Sequence, residues 1–295
     1  MSMTIDTIDL HFQDQPGLIA AYVLRSDGEC ALIETGPGSC HAALIEGLHR
    51  LGLKPVDIRK VFVTHIHLDH SGAAGWWAQQ GAQVFVHVKG APHLINPAKL
   101  IESASRIYGD RMQTLWGDIL PAPAERVTVL GDGNRVRVGE IDIEAWDTPG
   151  HARHHLAFAV SDICFTGDVA GMVVPGCDYL SVTAAPPQFE LQPYLESIAR
   201  LRAAAFRRLY LTHFGPIDDH ATHLDRYAAR VGEVQHQVAV WIAEGLSGAA
   251  LAERYTGSER AVSGLSDADW QRYERGNNTV MCAAGIELSV QKSTK

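Results

Sequence analysis

Apolar and polar positions divide the chain into short strand-like runs and amphipathic helical stretches that follow one another closely. Residues 5–10, I-D-T-I-D-L, mix the two kinds of side chain as a half-buried strand does. Residues 18–24 and 31–33 are nearly continuous apolar runs and predict strands buried on both faces, with turns at Gly17 and at Asp27-Gly28. Glu34-Thr35-Gly36-Pro37-Gly38 breaks the third run, and Ser39 is placed to cap a helix over 41–51 whose Leu44, Leu48 and Leu51 share a face. A further apolar run, Val61 to Val63, stops at Thr64. A helix over 71–80, closed by Gly81, and a strand over 83–88 come next.

Residues 91–123 predict a helical insertion, clearest at 103–116, whose Tyr108, Met112, Leu115 and Trp116 could either line a pocket or simply pack. Strands are expected over 126–130, 135–138, 141–146, 156–160 and 163–166, followed by a loop over 169–189 and an amphipathic helix over 191–205. A last strand over 208–212 precedes a long helix over 219–243 with apolar Leu224, Val231, Val234 and Val238. From 247 to 295 the pattern is helical, with breaks expected at Gly257, Gly264 and Gly276. This order predicts an α/β fold.

Composition narrows the class. The chain has 295 residues, 46% hydrophobic and 20% charged, enough for one large domain or one domain with an appendage. A net charge of −9, with no basic run, argues against a nucleic-acid surface. No stretch suits a transmembrane helix and no secretory signal is evident, so no membrane association is expected. Five cysteines without a C-x-x-C pair point to free thiols and a cytoplasmic setting.

The chemistry concentrates at the ends of strands. Residues 60–70 read K-V-F-V-T-H-I-H-L-D-H, so an apolar strand delivers His65, His67, Asp69 and His70 within six residues. His65 and His67 are two apart, which on extended backbone directs both rings to one side. Imidazole and carboxylate together suit zinc, with iron or manganese as alternatives. Three other strand ends carry candidate ligands: His151 after Thr148-Pro149-Gly150, Asp168 after Gly167, and His213 after Thr212. His154 and His155 read as supports or substrate contacts rather than ligands; His87, His93, His220 and His223 read as surface or packing residues, and Cys177 as an inert thiol.

The runs T-H-I-H-L-D-H, T-P-G-H at 148–151, F-T-G-D at 165–168 and T-H-F-G-P at 212–216 resemble the metallo-β-lactamase superfamily, and within it the glyoxalase II-type binuclear hydrolases. The resemblance implies an αββα sandwich; the helical tail lies outside the resemblance, so the expected division is a catalytic domain over 1–230 and a helical extension over 231–295. It further implies one metal on His65, His67 and His151, a second on Asp69, His70 and His213, and Asp168 bridging the two. Asp69 and Asp168 would then be both ligands and catalytic groups. Two divalent ions remain net positive beside these two carboxylates, so water can ionise at neutral pH and hydroxide can attack an ester, thioester or lactone carbonyl.

Three departures bear on substrate. Glu34 stands where relatives usually have Asp; the basic residues that bind glutathione in glyoxalase II are not recognisable; and Gly171 stands where acyl-homoserine lactonases carry Tyr. The leading expectation is a binuclear metallohydrolase of a small molecule. An iron-dependent persulfide dioxygenase of the same superfamily and a non-catalytic metal-containing binding protein are the alternatives. The C-terminal helices, with Trp241, Leu246, Leu251, Trp270, Tyr273, Met281 and Ile286, carry enough apolar surface to need cover from their own domain or from a second copy in a homodimer.

Overall fold

The apolar runs form strands covered on both sides. In the computed structural model, which describes residues 3–293, β1 (Met3–Asp9), β2 (Ala20–Ser26), β3 (Glu29–Ile33), β4 (Ile58–Phe62), β5 (Gln83–His87) and β6 (Val127–Leu130) make one sheet in sequence order. β1, β2 and β3 pair antiparallel, and β3 to β6 pair parallel. The parallel connections carry α1 (His41–Arg50), α2 (Leu68–Ser71), α3 (Ala74–Gln79), α4 (Ala91–Ile95), α5 (Ala98–Tyr108) and α6 (Met112–Trp116).

The second sheet uses β7 (Arg135–Val138), β8 (Ile141–Asp147), β9 (Leu156–Val160) and β10 (Ile163–Gly167). A two-strand ribbon, β11 (Met172–Val173) with β12 (Leu180–Ser181), and helix α7 (Leu191–Ala204) intervene before β13 (Arg208–Leu211) and β14 (Gly215–Ile217) complete that sheet in the order β14-β13-β10-β9-β8-β7. The chain ends in α8 (His220–Ala243), α9 (Gly248–Ser263), α10 (Asp267–Gly276) and α11 (Thr279–Ser293). None of the described helices is long and apolar enough to cross a membrane.

Two-residue periodicity sorts the side chains into four layers. Ala20, Tyr22 and Leu24 of β2 meet Phe62, Phe158, Val160 and Phe165 between the sheets, while Ala21 and Val23 face the helices of the first half. In the second sheet Ala157, Cys164 and Leu209 turn outward onto α7, α8, α9 and α11. Helix, sheet, sheet, helix is the αββα sandwich expected. Residue 230, where the sequence suggested a division, lies inside the unbroken α8, and Leu251, Tyr255, Tyr273 and Ile286 of the tail are fully covered by the chain itself.

Several local expectations change. Ser39 does not cap α1: its hydroxyl donates to the Leu115 carbonyl at 2.6 Å and ties down the insertion instead. The helix expected over 71–80 is two helices, α2 and α3, parted at Ala73, where the backbone leaves helical angles (φ −92°, ψ 2°) and the amide donates to the Gly36 carbonyl at 3.0 Å. The one expected over 103–116 is interrupted at Gly109, which has φ +52°. The 169–189 loop contains the β11–β12 ribbon.

Gly257 does not break the tail but sits within α9, whereas Gly264 (φ +61°) and Asn277 do end helices. Two tail glycines therefore respond oppositely to alanine. Gly257→Ala, with open space around its β-carbon, is expected to stabilise by about 0.5–1 kcal/mol through helix propensity. Gly285→Ala, in α11, drives a β-carbon into the Ala184 backbone and is expected to destabilise by roughly 1–3 kcal/mol. Urea denaturation of both variants measures the two signs, and a stabilised Gly285→Ala protein would contradict the packing described.

Candidate metal centre

Strand direction brings the candidate ligands to one edge. β3 and β4 run parallel and end at Ile33 and Phe62, while β8, β10 and β13 end, and β9 begins, on the facing edge of the other sheet. Backbone hydrogen bonds from Leu156 to the Thr64 carbonyl and from Ala20 to the Thr212 carbonyl, both 2.8 Å, join the sheets there. His67 has extended backbone and directly precedes α2, so Asp69 and His70 ride that helix's first turn. Gly167 takes φ +52° with no room for a β-carbon, which would lie 2.6 Å from His155 Nε2 and 2.7 Å from Thr64 Oγ1. This turn aims Asp168 inward.

All seven candidate ligands converge. His65 Nε2, His67 Nδ1 and His151 Nε2 are 2.8, 2.9 and 3.2 Å from one another. Such separations suit three nitrogens each about 2.0–2.1 Å from a common centre. Beside them, His70 Nε2 and His213 Nε2 are 3.2 Å apart, with Asp69 Oδ2 at 3.6 and 3.4 Å. Asp168 stands between: Oδ1 lies 3.1 Å from His70 Nε2 and 3.4 Å from His213 Nε2, and Oδ2 lies 3.2 Å from His151 Nε2. Oδ1 is fully buried and makes no hydrogen bond. A buried carboxylate oxygen without a donor, among ring nitrogens lacking acceptors, fits a cation.

In His151, His213, His70 and His65 the far ring nitrogen is engaged, each in the same sense. His151 Nδ1 donates to the Thr183 carbonyl at 3.0 Å and His213 Nδ1 to the Leu18 carbonyl at 2.7 Å. His70 Nδ1 donates to Glu34 Oε1 at 2.9 Å. His65 Nδ1 meets Thr64 Oγ1 at 3.0 Å, and that hydroxyl donates on to Glu34 Oε1 at 2.6 Å. Each contact leaves the inner nitrogen's lone pair facing the centre. Glu34 is fully buried with φ +64°; its Oε1 also accepts from Thr212 Oγ1 at 3.1 Å, and its Oε2 from the Thr64 amide at 3.2 Å.

Electrostatics follow position. Burial and the neighbouring imidazoles push His65 and His67 well below the ordinary histidine range, so both are neutral donors of a lone pair. Burial also opposes the charged form of His70, but Asp168, Asp69 and Glu34 outweigh it and move His70 upward. Asp69, despite its burial, is held at about 2 by His70 and His213.

His155 is no ligand. Its Nδ1 pairs with Thr148 Oγ1 at 2.8 Å and its Nε2 accepts the Asp168 amide at 3.1 Å. His154 lies against the centre, its ring 5.8 Å from that of His67, with a buried Nδ1 that has no partner. His87 is buried near Asp147, His223 donates to the Ala170 carbonyl, and Cys177 lines a separate cavity of about 420 Å³ with Phe214 and Arg226. The sequence did not single out the supporting threonines. One signal was present: Thr64 and Thr212 each directly precede a candidate ligand, and Thr148 opens the T-P-G-H run. Nothing in the sequence marked Thr183, whose hydroxyl meets the Asp168 carbonyl and the Tyr194 hydroxyl.

The sequence profile of the metallo-beta-lactamase superfamily matches residues 14–213, which contain all seven candidate ligands. The chain belongs to the metallo-beta-lactamase superfamily. A metallo-beta-lactamase fold-containing protein of Sulfurisphaera tokodaii is 31% identical over 144 residues, 48% of this chain and 54% of that protein. A hydroxyacylglutathione hydrolase of Xanthomonas euvesicatoria pv. vesicatoria is 26% identical over 176 residues, 60% of this chain and 54% of the relative. The chain spans about half the length of these two curated relatives. Among solved structures, a metallo-beta-lactamase family protein from Thermus thermophilus superposes with a TM-score of 0.72 at 21% identity, over 99% of this chain and 94% of that one, a likeness of fold.

Members of this superfamily bind divalent metals, and the donor groups described could do so here. Glu34 supports both donor groups at once, so Glu34→Gln should weaken metal affinity by about 10- to 100-fold while leaving the fold intact. Competition titration against a chromophoric chelator, with circular dichroism on the same samples, checks this. An unchanged affinity would remove Glu34 from the support of the centre.

Proposed function

We propose that this chain is a binuclear metallohydrolase that cleaves an ester, thioester or lactone, with His65, His67 and His151 holding one ion and Asp69, His70 and His213 the other. The observation that carries the reading is Asp168, whose two oxygens face different donor groups, an arrangement that suits a carboxylate shared between them. When bound, two divalent ions supply a nucleophile from water at neutral pH and polarise the scissile carbonyl. Zinc suits the imidazole-rich donor set, and iron or manganese would also fit. The second donor group favours this reading over a single-iron dioxygenase, and the relative named as a hydrolase supports the same class.

The chain's own groups have separable tasks in this scheme. Asp69 is one of the two candidate ligands, with His67, that retain some exposure, so the mouth of the site opens on their side. Asp69 Oδ2 faces the rings of His70 and His213, which keep the carboxyl ionised. Asp168 stays fixed because its amide is held by His155 and its carbonyl by Thr183 and Tyr194. The walls around His65 and His151 exclude bulk water, both residues being buried. The five free cysteines suit a reducing compartment such as the cytoplasm.

The test is a screen of zinc-, iron- and manganese-loaded protein against thioesters, lactones, aryl esters and phosphodiesters. Carbonyl substrates should be hydrolysed, and Asp168→Asn or His67→Ala should lower kcat/KM by at least about 100-fold together with metal content. Turnover that survives metal loss, or thiol-dependent oxygen uptake by iron-loaded protein in place of hydrolysis, would defeat the proposal.

A further inference from the structure

Two segments that the metal-ligand motifs leave unexplained flank the donor groups. The insertion abuts, through Gly117 on Gly38, the loop whose Thr35 and Gly36 amides donate to the His70 carbonyl, and α11 reaches, through Cys282, the Val182 carbonyl next to Thr183, which orients His151. Tyr108, the final residue of α5, is half-buried and sets its ring edge-on to Trp116, with centroids 5.0 Å apart. Trp116 stacks in turn on Phe12 at 5.5 Å. From the other side α11 contributes Met281, whose Sδ receives the Tyr108 hydroxyl at 3.5 Å. The insertion is held in place independently of this bridge, through Ser39 on the Leu115 carbonyl and through Gly38 and Gly117, whose backbones leave no space for a β-carbon on either.

Two hydrogen-bond donors in this cluster lack a strong acceptor. A thioether is a weak one for Tyr108. The Trp116 indole N–H is buried with no acceptor at all. Tyr194, Tyr179 and Tyr273 reach oxygen partners, Tyr194 donating to the Asp168 carbonyl at 2.6 Å, Tyr179 to Glu259 at 2.5 Å and Tyr273 meeting Ser181 Oγ at 2.8 Å. The Tyr255 hydroxyl, by contrast, fully buried in the helical layer away from the half-buried Tyr108, has no partner. Burial, and then the charge of Asp69, raise the Tyr108 phenol above its usual range, with Arg111 opposing. The hydroxyl thus remains a donor, and it lies within the field of a carboxylate at the mouth of the site.

We propose that Tyr108 contacts substrate. Its hydroxyl leaves Met281 to donate a hydrogen bond to an oxygen of the molecule bound over Asp69, and the Tyr108–Trp116–Met281 surface receives an uncharged, apolar acyl group. The acyl assignment rests on the hydrolase reading above. The contact itself can be tested without turnover.

The experiment uses the full chain loaded with zinc, as wild type and as Tyr108→Phe, which keeps the ring and its packing on Trp116. Calorimetry measures hexanoate and succinate binding. Kinetics compare acetyl, hexanoyl and succinyl thioesters of one thiol. Expected are tighter binding of hexanoate than succinate, kcat/KM highest for hexanoyl and lowest for succinyl, and a roughly 3- to 10-fold loss in both hexanoate affinity and hexanoyl kcat/KM in Tyr108→Phe at equal zinc content and melting temperature. Hexanoate binding that depends on Tyr108 in a protein that cleaves none of the esters would uphold the contact and count against hydrolysis. Ester cleavage with Tyr108→Phe indistinguishable from wild type in binding and kinetics would overturn the contact and leave hydrolysis standing. A preference for succinyl over hexanoyl would overturn the apolar acyl assignment.

Discussion

One carboxylate organises the centre. Glu34 Oε1 accepts hydrogen bonds from Thr64, His70 and Thr212, which belong to the loop after β4, the first turn of α2 and the end of β13. It therefore joins the two sheets at the edge where their strands stop. A buried carboxylate is costly unless its lone pairs are satisfied, and these donors, with the Thr64 amide on Oε2, satisfy them with short contacts. The requirement also runs the other way: Thr64 and His70 can orient toward the centre only while that acceptor stays where it is. Backbone at φ +64° places it, with the Glu34 amide held by the Phe62 carbonyl at 2.8 Å.

The remainder of the architecture serves the same edge. Large rings such as Phe62, Phe158 and Phe165 fill the space between the sheets, so the strand ends are carried on a packed interior with little freedom to shift. Outside the second sheet, α8, α10 and α11 hold the segment around Thr183. Asn277 donates to the Val182 carbonyl and to Ser181 Oγ, Cys282 donates to the Val182 carbonyl, and the Tyr227 hydroxyl accepts from the Thr183 amide, each in the buried interior. The helical extension is thereby coupled to His151 and Asp168, although it lies beyond the residues that the superfamily profile matches.

The strands and the seven candidate side chains at their ends were legible in the sequence because both depend on short-range rules, whereas the four layers and the meeting of those side chains were implied by the resemblance of the motifs to a known superfamily. Two-residue periodicity sorts a strand's faces, and a ligand directly after an apolar strand must appear at a sheet edge. What could not be read depended on distant partners. Ser39 has the composition of a helix cap, yet its hydroxyl goes to Leu115, 76 positions along the chain. His155 and His154 are adjacent and alike in sequence, but only His155 has both ring nitrogens engaged. Gly257 and Gly276 look the same as helix breakers, but α9 simply continues through the first, whereas the second packs against Met172 and Leu18 at the end of α10. The extra methylene of Glu34 was visible; its three donors were not.

Thr183 gives the arrangement a particular character. Its carbonyl orients His151 while its hydroxyl meets the Asp168 carbonyl and Tyr194, so one small residue ties two candidate ligand positions to the outer helices. Substitutions in α8 or α11 would reach both positions together, whereas the insertion is anchored separately at Gly38 and Ser39. A change in α11 would therefore be felt twice, at the candidate ligands through Cys282 and Val182 and at the insertion through Met281 and Tyr108.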